Sequence, residues 1–201
     1  MIRMKIILAT NNQDKYDEMK EIMQDFDVDI FSMKEAGIHM DVEETGVTFM
    51  ENAMIKAKAV SGLAPPDALV IADDSGLEVD YLNKEPGVYS ARYLGSDTSY
   101  RIKNQNIIDR LAGVPDEKRT ARFVCAIAAV LPDGSLLSCE GHMEGRIDYA
   151  ESGANGFGYD PIFYLPEFGC TSAALSPAEK NAVSHRGKAL REMKELLASR
   201  I

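Results

Sequence analysis

The stretch MKIILATNNQDK, residues 4–15, decides the fold. Residues 4–9 are largely apolar, as is typical of a buried strand, and the polar residues 10–12 then open into a turn. Apolar side chains recur at helical spacing from there as far as Phe26, which predicts an amphipathic helix. A strand that leads through a short turn into a helix is the opening unit of an α/β protein.

The rest of the chain continues this alternation and later changes to antiparallel pairing. The order strand, helix, strand, helix, strand predicts an α/β sheet with at least partly parallel strands, to which an Asp-Gly hairpin adds antiparallel ones. The further predicted elements are strands at 28–31 and 69–72, helices at 49–63 and 99–112, a hairpin of 122–131 with 135–140, and a last helix from Pro177 or Ser184 to Ser199.

Length and charge restrict the possible classes of protein. The 201 residues fit one domain, 1–201, which could have two lobes. A net charge of −10 disfavours a protein that coats nucleic acid, so no nucleic-acid partner is expected and any anionic ligand must meet local positive charge. The longest apolar run, residues 123–131, is far shorter than the roughly 20 residues of a membrane helix. We therefore expect a soluble, cytoplasmic protein with no membrane partner and no signal peptide.

The cysteine pattern indicates neither a zinc site nor a disulfide framework, because no C-x-x-C spacing occurs. If Asp133-Gly134 sets the hairpin register, Cys139 lies opposite Ala128, and a bridge between Cys139 and Cys125 is not expected. We expect reduced thiols at all three positions, Cys125, Cys139 and Cys170.

The opening turn, Thr10-Asn11-Asn12-Gln13-Asp14-Lys15, is a candidate phosphate site. It precedes a helix N-terminus, whose free backbone N–H groups and the ammonium of Lys15 could hold phosphate oxygens. The turn lacks the glycines of a Walker or Rossmann loop, so those interpretations fail. An ordinary capped turn is the alternative.

Two carboxylates precede the predicted helix at 49–63. Glu43 and Glu44 lie before this helix, on which Asn52 and Lys56 share one face, so that a carboxylate and a lysine could flank a metal–phosphate unit. Acidic residues also favour the start of any helix, which is the alternative.

The pair Asp73 and Asp74 follows an apolar strand, where isolated carboxylates are costly to bury. Adjacent side chains of a strand point to opposite faces, so only one of the two is expected to reach a ligand. Carboxylates in such positions hold metal ions or accept protons.

A second candidate region begins at GFGYDP, residues 156–161. Phe157 lies between two glycines, which carry no Cβ to block the approach of a flat base. A glycine-rich hairpin with a core phenylalanine is the alternative.

The segment after residue 175 begins with a helix cap and continues with cationic side chains. Ser176 matches a helix capping box, and Lys180, His185 and Arg186 follow it. A serine nucleophile is not indicated, since no G-x-S-x-G turn occurs.

Seven stretches in sequence resemble the motifs of the Ham1-like inosine/xanthosine triphosphate pyrophosphatase family, with matching order over nearly the whole chain: TNNQDK (10–15), EETG (43–46), ENA (51–53), ADDSGL (72–77), PGVYSARY (86–93), FGYDP (157–161) and SHRG (184–187). The resemblance implies a homodimeric α/β enzyme whose elongated mixed β-sheet and flanking helices form two lobes around a central cleft. It further implies Mg²⁺-dependent hydrolysis of ITP, dITP and XTP to the monophosphate and pyrophosphate.

The resemblance also implies roles for individual residues. Asp74 would activate water and, with Glu43, hold the metal ion. One departure from the family pattern is Asn11, where the family usually has glycine. Asparagine tolerates left-handed dihedrals better than most residues. The implied nucleotide-binding residues are Thr10, Asn11, Asn12, Gln13, Asp14, Lys15, Lys56, Ser75, Phe157, Gly158, Tyr159, Asp160, Lys180, His185 and Arg186.

Two rival functions remain open on the sequence. One is a Maf-like pyrophosphatase for other modified nucleotides, and the other is a nucleotide-sensing module without turnover. The presence of both Glu43 and Asp74 favours turnover, because a sensor needs phosphate-binding groups but no group that activates water.

Overall fold

The computed structural model describes residues 4–200, and this part of the chain forms seven strands and five α-helices. The strands are β1 (Met4–Leu8), β2 (Val28–Ser32), β3 (Ala68–Val79), β4 (Thr120–Val130), β5 (Leu136–Ile147), β6 (Phe163–Leu165) and β7 (Cys170–Thr171). The α-helices are α1 (Gln13–Ile22), α2 (Phe49–Ser61), α3 (Tyr100–Arg110), α4 (Pro177–Val183) and α5 (His185–Ala198). Short 3₁₀ helices lie at Asp80–Leu82, Gly87–Tyr89, Asp116–Lys118, Asp160–Ile162 and Ser172–Ala174.

The strands form one mixed sheet in the order β2-β1-β3-β4-β5-β6-β7. Strand β1 pairs in parallel with both β2 and β3, so that Ile6 lies opposite Ile30 on one side and Leu69 on the other. Strands β5, β6 and β7 pair antiparallel. The predicted α/β class with a mixed sheet is confirmed.

The chain divides into two compact units. The first comprises residues 4–74, 125–141 and 186–200, and the second comprises Ser75–Val124 and His142–His185. Strands β3, β4 and β5 each contribute residues to both units. Each unit has its own apolar core: the first packs β1, β3 and β4 against α1 and α5, and the second packs β3, β4 and β5 against α3 and the β6 region. Burial of apolar surface on this scale is the main favourable term in folding.

Strand β3 is longer than predicted. We expected it to end at Asp73, but it runs without interruption from Ala68 to Val79, so both aspartates lie within the strand. The prediction was wrong because it took buried charge as the end of regular structure. Asp73 instead contacts the ammonium of Lys15, and Asp74 accepts a hydrogen bond from the amide of Asn52, which offsets part of the cost of burying them.

The hairpin between β4 and β5 has a different register from the one predicted. Its turn contains three residues, since Leu131 donates its backbone N–H to Ser135 (2.9 Å), and at the far end Ile147 donates to Arg119 (2.9 Å). Both pairs belong to one antiparallel register, in which Cys139 lies opposite Ile127 and not opposite Ala128. All three cysteines are free thiols, as expected.

The last predicted helix is in fact two. Helix α4 ends at Val183, Ser184 is extended (φ −65°, ψ 154°), and α5 begins at His185, so both of the predicted start points are used. Strands β6 and β7 were not predicted, because three and two residues are too few to show a period. Between residues 4 and 200, no helix combines the length and the apolar character needed to span a membrane.

Candidate active site

The opening turn is held together by its own side chains. The hydroxyl of Thr10 accepts the backbone N–H of Asn12 (3.1 Å), and the side-chain oxygen of Asn12 caps α1 by accepting from the N–H of Lys15 (3.0 Å). Asn11 donates to the carbonyl of Met40 (3.1 Å). Residues 11–14 are exposed, so the first backbone N–H groups of α1 face solvent, where an anionic ligand could meet them.

Asp73 is the centre of a buried charge network in the first unit. Its Oδ2 lies 3.2 Å from the ammonium of Lys15 and 3.1 Å from the guanidinium of Arg186, which in turn contacts the carboxylate of Glu18 at 3.1 Å. Burial alone would raise the pKa of Asp73, but the charges of Lys15 and Arg186 outweigh it and hold that pKa well below its usual range. Asp73 is therefore a fixed anion that orients two cations.

Asp74 lies in a different environment. Its Oδ2 accepts from the side-chain amide of Asn52 (3.0 Å), and its Oδ1 lies 3.7 Å from the ammonium of Lys56. Burial raises the pKa of Asp74, Lys56 opposes this rise, and the nearby carboxylate of Glu44 adds to it. A carboxylate with a raised pKa is a better proton acceptor than an ordinary aspartate.

Helix α2 positions the groups around Asp74. The amide oxygen of Asn52 accepts from the backbone N–H of Gly46 (2.8 Å), which leaves the amide nitrogen directed at Asp74. A Cβ on Gly46 would lie 2.7 Å from that same oxygen, so only glycine allows this approach. One turn further along α2, Lys56 contacts Glu44 at 2.7 Å.

The second carboxylate beside Asp74 is thus Glu44, whereas Glu43 is exposed. Within residues 4–200, no group of three or more carboxylate, imidazole or thiol side chains is placed to hold a metal ion. Mg²⁺ commonly takes only one or two protein carboxylates and completes its shell with water and substrate phosphates. The pair Asp74 and Glu44 fits that mode of binding, with oxygen ligands and a lysine close by.

The second unit presents the Phe157 loop, residues 156–160. Gly156 (φ 72°) and Gly158 (φ 67°) adopt left-handed conformations on either side of the half-buried Phe157. The backbone N–H of Phe157 donates to Asp160 Oδ2 (2.9 Å), and the ammonium of Lys180 contacts the same oxygen at 2.7 Å. Lys180 also lies 4.9 Å from the centroid of the Phe157 ring. An aromatic face, a buried carboxylate and a cation therefore meet at this loop.

Other predicted binding residues make contacts within the protein. The hydroxyl of Tyr159 donates to the carbonyl of Ser90 (2.7 Å), and burial raises the pKa of this phenol far above its usual range. The imidazole of His185 stacks on Phe123, with ring centroids 4.8 Å apart. Ser75 is half-buried in β3, immediately after Asp74.

The structure thus gathers the predicted residues into two groups, one in each unit. The first unit holds the opening turn with Lys15, and Lys56 with Asp74. Arg186 is buried there and contacts Asp73 and Glu18. The sequence did not identify Glu18 as a site residue, because the helical pattern assigns it to the polar face of α1. The role of Asn52 could have been inferred, since it shares a helix face with Lys56.

The first unit combines cations and helix N–H groups after β1 with two carboxylates in the adjacent parallel strand β3, which is typical of α/β proteins that bind anionic ligands. The Ham1 family model matches residues 6–196. The chain belongs to the Ham1 family.

Relatives match over almost their full lengths. A dITP/XTP pyrophosphatase of Clostridium perfringens is 48% identical over 197 residues, 96% of this chain and 97% of the relative. One of Nitratidesulfovibrio vulgaris is 47% identical, over 98% of this chain and 97% of the relative. Among solved structures, the Ham1 protein of Staphylococcus aureus is 40% identical with a TM-score of 0.86, over 98% and 100% of the two chains. A HAM1 protein from Coxiella burnetii has a TM-score of 0.85 at 40% identity, over 98% and 99%.

Proposed function

We propose that this protein hydrolyses the deaminated purine nucleoside triphosphates ITP, dITP and XTP to the nucleoside monophosphate and pyrophosphate, with Mg²⁺ as cofactor. The observation that carries the proposal is Asp74: a buried carboxylate with a raised pKa, held between Asn52 and Lys56. The names of the full-length relatives, dITP/XTP pyrophosphatase, support the same substrate class.

The proposed reaction is attack of water on the α-phosphorus, with pyrophosphate as the leaving group. Asp74 accepts the proton of the water, and Asn52 holds that carboxylate in position by its hydrogen bond. Lys15, Lys56 and the N-terminus of α1 bind the phosphate oxygens and balance the charge that develops on pyrophosphate. Bound Mg²⁺ would neutralise phosphate charge and lower the pKa of water, and we assign Asp74 and Glu44 to hold it in place of the Glu43 expected from the sequence.

We assign the purine base to the Phe157 loop. Stacking on an aromatic ring contributes about 1–3 kcal/mol per base and does not distinguish one base from another. Selection of a 6-oxo purine needs a donor, because adenine carries an amino group where hypoxanthine carries an acceptor. Lys180 lies beside the ring, and its ammonium only donates hydrogen bonds, so we propose Lys180 as this donor. Arg186 is engaged with Asp73 and Glu18 and is assigned to positioning.

The proposal is tested by the products. Incubation with ITP and Mg²⁺ should yield IMP and pyrophosphate in equal amounts, and chelation of the metal should stop the reaction. Asp74→Asn should lower kcat by about 10²–10⁴-fold, since it removes the proton acceptor, while nucleotide binding remains measurable. Release of orthophosphate would indicate attack at the γ-phosphorus, and an Asp74→Asn variant of unchanged kcat would contradict the role of this carboxylate. Binding of ITP without any turnover would favour the sensing module.

Two further assignments are proposals as well. A homodimer is supported by large apolar side chains that the second unit exposes, at Tyr89, Leu94 and Ile102, and sedimentation equilibrium would test it. A cytoplasmic location is supported by the free thiols of the three cysteines.

A further inference from the structure

Helix α3 reaches the Phe157 loop through one buried amide. Asn104 is 1% exposed, and its side-chain nitrogen donates to the carbonyl of Gly158 (3.3 Å) and to the carboxylate of Glu151 (2.8 Å). Gly158 directly follows Phe157 in the chain. None of the nucleotide-binding motifs in the sequence includes Asn104.

The chemistry of the two partners fixes the orientation of this amide. A carbonyl and a carboxylate only accept hydrogen bonds, so the NH₂ group of Asn104 must face both of them, and it has two N–H bonds to do so. The amide oxygen is consequently turned away from Gly158 and is buried with no hydrogen-bond partner among the residues that the structure describes. A buried amide oxygen without a hydrogen bond costs stability. The Asn104 side chain bears this cost in the orientation that lets its NH₂ group bind the loop at Gly158.

The loop needs such contacts because its backbone is permissive. Both glycines that flank Phe157 have positive φ angles. Because glycine adopts positive and negative φ angles about equally readily, the two glycines alone do not fix the position of the Phe157 ring. Asp160 holds the loop by accepting the N–H of Phe157 (2.9 Å). Asn104 holds it one residue further along the chain, at the carbonyl of Gly158. The two contacts together fix the peptide group that precedes Phe157 and the one that follows Gly158.

We propose that Asn104 is a positioning residue that holds the Phe157 loop in the conformation that stacks on the purine base. Asn104 thereby sets the part of substrate affinity that depends on the base, and it has no part in phosphate binding or hydrolysis. The inference rests on the proposed function, in which the base lies on Phe157.

The test separates base binding from phosphate binding. Inorganic tripolyphosphate carries the phosphate groups of the substrate but no base, so its inhibition constant reports the phosphate site alone. Asn104→Ala should raise the KM for ITP about five- to tenfold, the effect of losing a hydrogen bond of typical strength. The inhibition constant for tripolyphosphate and kcat should each change less than about twofold. Gln105→Ala is the matched control, because Gln105 is an exposed amide on the same helix that contacts only Asp109 among the hydrogen bonds found there, and it should change none of these values.

A second variant covers the case in which alanine unfolds the protein. Asn104→Leu keeps the shape and fills the same buried space but has no N–H bond to donate, and it should raise the KM for ITP at least as far as alanine does. Equal changes in the KM for ITP and the inhibition constant for tripolyphosphate, or no change in either, would overturn the inference. Phe157→Ala is measured in parallel. If it leaves the KM for ITP unchanged, the base site itself is wrong; if it raises KM while both Asn104 variants do not, only the role of Asn104 is refuted.

Discussion

At the scale of single residues, two adjacent aspartates on β3 have opposite electrostatic environments. Asp73 is compensated by Lys15 and Arg186, which lower its pKa in spite of burial, whereas burial dominates at Asp74 and raises its pKa. Strand geometry explains the difference, because neighbouring side chains point to opposite faces. The alternation could be predicted from the sequence, but the partners on each face could not, since Arg186 lies 113 positions away in the chain.

Asp73→Asn should therefore act on stability. The variant leaves two buried cations without their shared anion, which should lower the free energy of unfolding at neutral pH by about 3–5 kcal/mol. The folded-state pKa of Asp73 is lowered, so its stabilisation is present above the unfolded pKa of about 3.9 and is lost as the pH falls towards the folded value. Urea unfolding from pH 7 to pH 3 should show wild type and variant converging below about pH 4.

The control for this measurement is Asp67→Asn. Asp67 also pairs with a lysine, Lys5, at 2.8 Å, but both side chains are largely exposed, so little loss of stability is expected. If Asp73→Asn unfolds at the same urea concentration as wild type across the pH range, the buried network does not contribute to stability in the way described.

The same limit of sequence reasoning applies to Glu43 and Glu44. Both precede α2 and both are candidates by composition, but only the path of the loop decides which one contacts Lys56. The family resemblance selected Glu43, but no pattern within the sequence distinguishes the two neighbours, because residues outside a regular strand or helix have no fixed period of side-chain direction.

At the scale of elements, three of the helices that carry site residues, α1, α2 and α4, begin at side-chain caps. The hydroxyl of Thr48 accepts from the N–H of Glu51 and the carboxylate of Glu51 reaches back, which forms a capping box at the start of α2. Ser176 and Glu179 form the same arrangement at α4, which was predicted from the sequence. Long periodic elements such as α1 and β1 were also predicted, whereas the length of β3 depends on tertiary partners that no local pattern encodes.

Caps that look alike in the sequence should differ in energy. Thr48 before α2 and Ser99 before α3 are both favoured cap residues, but the side chain of Ser99 makes no capping hydrogen bond. Thr48→Ala should lower the free energy of unfolding by about 1 kcal/mol, and Ser99→Ala should lower it by a few tenths at most. Chemical denaturation of the two variants measures both values. Equal losses of unfolding free energy would show that the hydrogen bond of the Thr48 cap does not contribute to stability.

At the scale of the whole molecule, the two groups of site residues belong to separate units whose strands are continuous. The first unit carries the phosphate-binding turn, Lys56 and Asp74, and the second carries the Phe157 loop with Lys180. Strands β3, β4 and β5 pass through both units, and Ser75 follows Asp74 directly across their boundary in β3. In the proposed function, one unit would provide groups for the triphosphate, and the other would provide an aromatic ring and a donor for the base.

The central claim is selective hydrolysis of 6-oxo purine nucleotides, and pyrophosphate release measured across a panel of nucleoside triphosphates tests it most directly. At saturating Mg²⁺, kcat/KM for ITP, dITP and XTP should exceed that for ATP and GTP by at least about tenfold, the ratio that about 1.4 kcal/mol of selective transition-state binding provides. Equal values of kcat/KM for ITP and ATP, or a preference for modified pyrimidine triphosphates, would contradict the account.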